Sequence, residues 1–508
     1  MTNRTSSAPL IPSFSQIRDA TLAKFQKQPC LWQLKIARAV LERKKDIISI
    51  AGTGMGKTLT FWMPLLLRPK GHVQIIVTPL NILGKQNVDT LAKAGLKGIF
   101  INATSAMPGN FKAIENLEYQ AIVVSPEQLM KAGGGFERLF KNKLFTSKIV
   151  SIIFDEAHCI SAWGSFRPEY KDVGKLRYMV SKDVPIVVTS ATLPPLVLQD
   201  VVSTLQLRKD DILTFRKSVD RSNIAIVVQK ILSPLSSFED LRFLLRNWKP
   251  GGPPPPKFLV FFDNINEAIA ACNFIKSLLP KGYQDNIAWF CSDMSDTFKD
   301  GQTSNLESGD TWGLFTTDSF GMGMDIRDIE IVVQWRATCS LATLWQRLGR
   351  GGRDQSIAAV AIFLVEREHF DDDRLSKELR KKARQQKAAN GSCTRHSSHS
   401  STHHDAARPI LVSVNQNVGD ADETEDDSDV EAELTARYQE VKVGIKRKRK
   451  EKRVVELEPA MDDLINADHR RLRCRRIPIN AHFDNAQAGE RLRLSADHVG
   501  IGTPAFTS

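Results

Sequence analysis

The chain lacks cysteines in any metal-binding or disulfide pattern. Its seven cysteines stand at 30, 159, 272, 291, 339, 393 and 474, and no two are spaced Cys-x-x-Cys. That spacing rules out a local four-cysteine zinc site and offers no disulfide framework, so reduced thiols are expected. Long apolar runs are missing too, and nothing approaches the ~18 uninterrupted apolar residues of a membrane span. The opening "MTNRTSSAPLIPSFSQ" has no long apolar core and does not read as a secretory signal. There is no clear internal repeat. What the chain does have is length and positive charge: 508 residues, enough for two or three domains, 42% hydrophobic, with a net charge of +12. That charge favours an anionic partner such as nucleic acid without singling one out.

Between about residues 23 and 365, helical patterns alternate with short β-branched runs. The runs are "DIISIAG", "VQIIVTP", "AIVVSPE", "IVSIIFDE", "VPIVVTSAT", "KFLVFFDN", "WGLFTTD" and "IEIVVQW". Continuous apolar runs of this length read as buried parallel strands joined by helical crossovers. Such sheets carry their functional loops at the carboxyl ends of the strands. "WKPGGPPPPK", 248–257, reads as a surface insertion. After about 366 the texture changes. A charged helical stretch, "RLSKELRKKARQQKAAN", is followed by "GSCTRHSSHSSTHHD", the acidic run "DADETEDDSDVEAE" and "KRKRKEKR". This composition buries little apolar surface, and a mostly disordered tail is expected.

"DIISIAGTGMGKTLTFWMPLLL" reads as strand, glycine-rich loop and helix. The strict phosphate-loop pattern wants glycine where Ala51 stands, so it fails by one residue. The physics survives. Gly52, Gly54 and Gly56 let backbone N–H groups turn inward around phosphate oxygens, and Thr53 and Met55 complete the turn. Lys57 supplies positive charge for the β- and γ-phosphates, and Thr58 a hydroxyl for Mg²⁺.

Asp155 and Glu156 follow the strand "IVSIIF" directly. An aspartate there can hold Mg²⁺, and the adjacent glutamate can orient or deprotonate the attacking water. Alone, an Asp-Glu pair is better explained by a solvated strand end or a helix cap. About one hundred residues after a phosphate loop, the usual order in nucleotide hydrolases, the catalytic reading leads.

The continuation "DEAHCIS-WG-FRPEY" closely resembles the RecQ family of DNA helicases, within superfamily 2. The resemblance covers roughly residues 25–365, with the motifs in family order. "AGTGMGKT" is the helicase form of the phosphate loop. "VTPLNILGKQNVDTL", "VVSPEQL", "TSAT" (Ser190, Thr192) and "VDRSNI" resemble the motifs between the two ends. "FTTDSFGMGMDIRDIEIVVQW" resembles motif V, with Gly321, Gly323 and Asp325 in register, and "LWQRLGRGGRD" resembles motif VI, with Gln346, Arg350 and Arg353. By resemblance Gln33 reads adenine, and Gly323, Asp325 and Gln346 join the ATP site.

The fold so implied is α/β: two tandem RecA-like parallel-sheet domains holding ATP between them. The expected division is an N-terminal tail over 1–22, an ATP-binding domain over 23–212, a second domain over 213–365 and the tail over 366–508. An arginine delivered from a second lobe stabilises the spread charge of the phosphoryl-transfer transition state only when the lobes close. Arg350 and Arg353 are the candidates, with Arg353 favoured as the finger.

The resemblance also makes the segment behind the carboxylates a sensor of single-stranded DNA. Trp163 and Phe166 match its stacking positions and Arg167 its basic one. From residue chemistry alone, aromatics there would simply be core, and Tyr170 is expected to pack. The family usually has two residues between "WG" and "FRP". This chain has only Ser165, and it lacks the family's usual His-Asp pair. The cysteine-bearing zinc subdomain and duplex-splitting winged helix of many members have no counterpart after 366, so a truncated, fungal-type member without zinc is expected.

The expected activity is ATP- and Mg²⁺-dependent 3′-to-5′ DNA unwinding in repair or recombination, on single-stranded and duplex DNA. The basic run 446–453 would serve as a nuclear import signal or a DNA-binding patch. A DNA-stimulated translocase that unwinds little, a noncatalytic DNA-binding scaffold and an RNA helicase stay open as alternatives. "CRRIPINAHFDN", 474–485, looks ordered but has no assigned role.

Overall fold

The computed structural model describes residues 11–79, 81–163, 167, 169–208, 211–321, 326–354, 356–392, 427–440, 457–472 and 474–485. Phe166, Ser165, Gly323 and Asp325 lie outside the described residues, as do the histidine tract, the first half of the acidic run and the basic run 446–453.

The first sheet has seven strands: β1 (Asp46–Ile50), β2 (Val73–Val77), β3 (Gly98–Ile101), β4 (Ala121–Val124), β5 (Ile149–Phe154), β6 (Ile186–Ser190) and β7 (Ile212–Arg216). They pair in the order β3-β4-β2-β5-β6-β1-β7, all parallel. The second has six: β8 (Ile224–Lys230), β9 (Phe258–Phe261), β10 (Ile287–Phe290), β11 (Gly313–Thr316), β12 (Ile331–Trp335) and β13 (Ala359–Val365). Their order is β10-β11-β9-β12-β13-β8, again all parallel.

Every residue of β1, β2, β4, β5 and β6 is buried. That follows from helices covering both faces, and it is why these strands read as unbroken apolar runs. All eight runs picked from the sequence are strands. The structure adds β3, β7, β8, β10 and β13. Of these, β3, β7, β8 and β10 stand at sheet edges; β3, β7 and β8 are largely half-exposed, so their apolar signal is diluted. β13, "AVAIFLV", is buried but opens on alanine, a residue depleted in strands.

One charge sits inside the first lobe. The Asp46 side chain is 0% exposed and pairs with Arg177 (2.6 Å) and Arg208 (2.9 Å). It also accepts the backbone N–H groups of Ile186 and Arg208, both at 2.9 Å. Burial acts to raise its pKa, but these hydrogen bonds, led by the Arg208 side chain, hold it below the ordinary carboxylate value.

The lobe boundaries differ from the sequence division. The helix Phe14–Phe25, capped by Ser13, buries Ile17 and packs on the first lobe. β7 pairs with β1, so that lobe runs to Arg216. Beyond 366 the stretch Asp371–Ser392 is helical, as its composition suggested. Helices Asp427–Glu440, Pro459–Ile465 and Arg476–His482 also stand in the region read as mostly disordered. In and just after the last two of these, Leu464, Ile479 and Phe483 are buried.

Candidate functional site at the lobe interface

The sheet order places β6 between β5 and β1, so the phosphate loop, the carboxylate pair and the Ser190–Thr192 stretch leave neighbouring strand ends. Gly54 and Gly56 take φ of 85° and 78°, values that only glycine adopts at little cost. This explains the loop's glycines. The Lys57 ammonium donates to the Ala51 carbonyl at 2.8 Å and lies 3.4 Å from that of Gly52. A short helix, Leu59–Leu66, starts directly after Thr58. Gln33 is tied to the backbone at both ends of its amide. Its Oε1 accepts from Cys30 N (2.7 Å) and its Nε2 donates to Gly56 O (2.9 Å). In this arrangement Gln33 braces the loop.

After β5, Asp155 donates its N–H to Val77 O (2.9 Å), and its Oδ1 accepts from Glu156 N (3.0 Å). Glu156 has φ 48°, a left-handed conformation that costs a non-glycine residue about 1–2 kcal/mol. The strain turns the chain sharply between strand and helix. Glu156 Oε2 is buried without a hydrogen bond, 3.4 Å from His158 Nδ1.

Burial lowers the pKa of Lys57, against the raising effect of Glu156 and Asp155. Burial and the Glu156 charge push Asp155 up to about 7. Burial would raise Glu156 as well, but the adjacent His158, 3.4 Å away, brings it down to about 2. Two adjacent half-buried carboxylates, one with an oxygen that accepts no hydrogen bond, form an oxygen donor pair suited to a hard divalent cation. The residues therefore fit Mg²⁺.

The second lobe closes the site. The helix Leu341–Leu348 leads into the loop carrying Arg350 and Arg353. Both guanidinium groups stand close enough to Lys57 to disfavour its charge, and Arg350 also acts on Glu156. Gln346 reaches across between the lobes. Its Nε2 donates to Thr192 Oγ1 at 2.7 Å and lies 3.2 Å from His158 Nε2. His158 Nδ1 is 3.0 Å from Ser190 Oγ. One glutamine thus joins motif VI to the carboxylate loop and to the "TSAT" stretch.

Arg347 does something else. It is buried in ion pairs with Asp263 (2.6 Å) and Asp318 (2.7 Å) and donates to Gln334 Oε1 (2.7 Å), all within its own lobe.

Trp163 ends the helix His158–Trp163 and is half-buried. It lines a 290 Å³ cavity together with Phe262, Asp263, Ser292 and Ser319 of the second lobe. The Arg167 guanidinium lies over its ring at 4.6 Å. Arg167 also donates to Pro79 O (2.9 Å) and pairs with Glu127 (3.3 Å), so here it props Trp163. Tyr170 is 2% exposed, packed as expected.

Sequence reasoning missed His158 as a connector, and it missed Arg221. The Arg221 guanidinium donates to the carbonyls of Gly349 (3.2 Å), Gly351 (3.2 Å) and Gly352 (2.5 Å), clamping the arginine loop. Its motif, "VDRSNI", was visible, but the contact spans more than 120 residues and no local pattern signals it.

The family model for DEAD/DEAH box helicases matches residues 31–201, and that for the helicase conserved C-terminal domain matches 241–355. RecQ of Haemophilus influenzae, named an ATP-dependent DNA helicase, is 27% identical over 325 residues, 63% of this chain and 48% of that protein. The helicase hus2/rqh1 of Schizosaccharomyces pombe is 24% identical over 65% of this chain and 24% of its own length. The DNA helicase Q5 of Rattus norvegicus is 27% identical over 62% and 32%. The chain thus carries the paired domains of a DEAD/DEAH-type helicase, and across them it is similar to RecQ proteins.

The chain spans under half the length of those three relatives. Among solved structures it is similar to the helicase MrfA bound to DNA and AMPPNP, with TM-score 0.58 and 17% identity over 72% of this chain and 52% of that one. It is also similar to Mss116p bound to single-stranded RNA and AMP-PNP, with TM-score 0.57 and 18% identity over 70% and 73%. These likenesses show the two-lobed RecA-like fold. Among the described residues, no helix is long and apolar enough to cross a membrane, and no group of three His, Cys, Asp or Glu side chains is placed to hold a metal ion.

Proposed function

We propose that this chain is an ATP-dependent DNA helicase that moves 3′-to-5′ on single-stranded DNA and separates duplex ahead of it. The observation that supports this most is the facing pair of half-sites: Lys57, Asp155 and Glu156 on one lobe, Arg350 and Arg353 on the other, with Gln346 bonded across. Gly52, Thr53, Gly54, Met55 and Gly56 would wrap the phosphates by their backbone N–H groups, and Lys57 would pair with the β- and γ-phosphates. Thr58 and Asp155 would hold Mg²⁺, which when bound neutralises phosphate charge. Glu156 orients a water whose oxygen attacks the γ-phosphorus as the bond to the β-phosphate oxygen breaks, and it takes the water's proton. Arg350 and Arg353, with Arg353 as the finger, stabilise the charge on the equatorial oxygens. Gln33, Gly323 and Asp325 complete the nucleotide site.

On the DNA side, Trp163 and Phe166 offer stacking faces, and Arg167 holds the tryptophan in place. The chain from Asp155 to Trp163 is short, so a base stacked on the indole and the γ-phosphate share one strand-to-helix loop. Closure on ATP and release after hydrolysis then become steps along the strand. The proposed setting is nuclear DNA repair or recombination, with 446–453 as the import signal.

Forked duplexes carrying only a 3′ or only a 5′ single-stranded arm test the reading. Separation from the 3′ arm is expected. Separation from the 5′ arm alone would overturn the polarity, and hydrolysis without separation would reduce the chain to a translocase.

A further inference from the structure

The segment 457–485 packs across the hinge between the lobes. The two sheets are joined by the stretch between Arg216, which ends β7, and Ile224, which begins β8. The segment is anchored on the second lobe and on the helix Asp371–Ser392 that follows it. Glu458 accepts the N–H of Leu341, where the motif VI helix starts (3.0 Å). Asn466 Oδ1 accepts Asp371 N (2.8 Å), and Arg470 pairs with Asp371 (2.8 Å). Met461, Leu464, Ile479 and Phe483 are each at most 1% exposed and share one buried cluster with Leu341 and Leu344.

Beyond these anchors the segment reaches the hinge and then the first lobe. Arg476 forms an ion pair with Asp220. Asn485 Oδ1 accepts the N–H of Val219 at 3.2 Å. Arg216, the last residue of β7, donates to the Phe483 carbonyl at 2.8 Å.

Val219 is held from both sides of its backbone. Its N–H goes to Asn485, and its carbonyl accepts Trp345 Nε1 at 3.0 Å. Trp345 precedes Gln346, the bridging residue. Val219 also backs the phosphate loop, since a Cβ placed on Gly52 would stand 3.7 Å from the Val219 Cα. Two residues on, Arg221 clamps the arginine loop, while Asp220 between them is held by Arg476.

We propose that residues 457–485 are a built-in hinge clasp, with Asn485, Arg476 and Arg216 as positioning residues that set the arginine loop against the phosphate loop. The proposal rests on the ATPase reading for its kinetic consequence, but not for the contact itself. A hinge held from the C-terminal segment has little effect on how ATP first enters. It governs how the two half-sites meet when charge develops, so its loss lowers kcat and spares KM.

The test uses the full chain in four forms: native, Asn485→Ala, Arg216→Ala and Asn485→Asp, which keeps the acceptor oxygen for Val219 N–H. Amide exchange of residues 217–224 and steady-state ATP hydrolysis on single-stranded DNA are measured together, with melting curves as the check on folding. Asn485→Ala should speed hinge exchange at least about tenfold and lower kcat about fivefold, the size of one hydrogen bond, with KM for ATP within about twofold. Arg216→Ala should act alike, and Asn485→Asp should restore most of both. Hinge exchange that ignores Asn485 and Arg216 overturns the clasp, as does a native kcat in both alanine variants. Absence of hydrolysis in the native chain, with hinge exchange still governed by Asn485, supports the clasp and removes the ATPase reading instead.

Discussion

Removing the Gln346 amide tests whether the lobes communicate through it. The contact is 2.7 Å long, and Thr192, which receives it, is 1% exposed. Gln346→Ala loses a hydrogen bond worth about 1 kcal/mol and leaves a buried hydroxyl unpaired, at a further cost of about 1 kcal/mol or more. A loss of about 2 kcal/mol from the closed arrangement corresponds to a fall of about 30-fold in its population relative to the open one. Thr192→Val removes the same bond without stranding a polar group, so about fivefold is expected. The double variant should be no worse than Gln346→Ala alone, because the stranded hydroxyl is gone. DNA-stimulated kcat/KM for ATP, measured for all four proteins at matched folded fraction, supplies the numbers. Strictly additive losses, or native stimulation in Gln346→Ala, would refute a bridge between the lobes.

Two neighbouring arginines should separate cleanly. Arg353→Ala should cut hydrolysis by about 10³-fold or more while urea midpoints barely move, since Arg353 is half-exposed. Arg347→Ala should lower unfolding free energy by about 2–3 kcal/mol, less than a fully buried pair would lose because Asp318 is half-exposed and rehydrates. Asp46→Asn should cost about 3 kcal/mol in urea unfolding at neutral pH. The folded pKa of Asp46 lies below its ordinary value, so its contribution is full above about pH 4 and fades as pH falls through the lowered value. The native and Asp46→Asn midpoints should therefore converge in acid. Trp163→Ala should weaken single-stranded DNA binding by about 1–3 kcal/mol in a titration, with the salt slope unchanged because no phosphate contact is removed.

Much of this was legible in the chain. The phosphate loop, the Asp155–Glu156 pair and the motif VI arginines announce themselves by residue type beside a strand end, because that chemistry is local. Strands buried on both faces were equally plain. Edge strands such as β3 and β7 were not, since half-exposed residues dilute the apolar pattern. Arg347, Arg350 and Arg353 look alike in "QRLGRGGR", and only the tertiary positions of Asp263 and Asp318 assign the first to structure and leave the other two for the cleft. The role of Arg167 was hidden for the same reason: its partners Pro79 and Glu127 lie far away in sequence. "CRRIPINAHFDN" looked ordered but had no reading, because its meaning lies in the Asp220 and Val219 contacts it makes across the hinge.

The central claim is a motor in which nucleotide and DNA strand are read by one connected loop at the lobe interface. The most direct measurement is ATP hydrolysis by the native chain and by Lys57→Ala, each with and without single-stranded DNA. Slow hydrolysis that DNA accelerates, absent in Lys57→Ala under both conditions, is the predicted result. No hydrolysis by the native chain, or a rate indifferent to DNA, would contradict it.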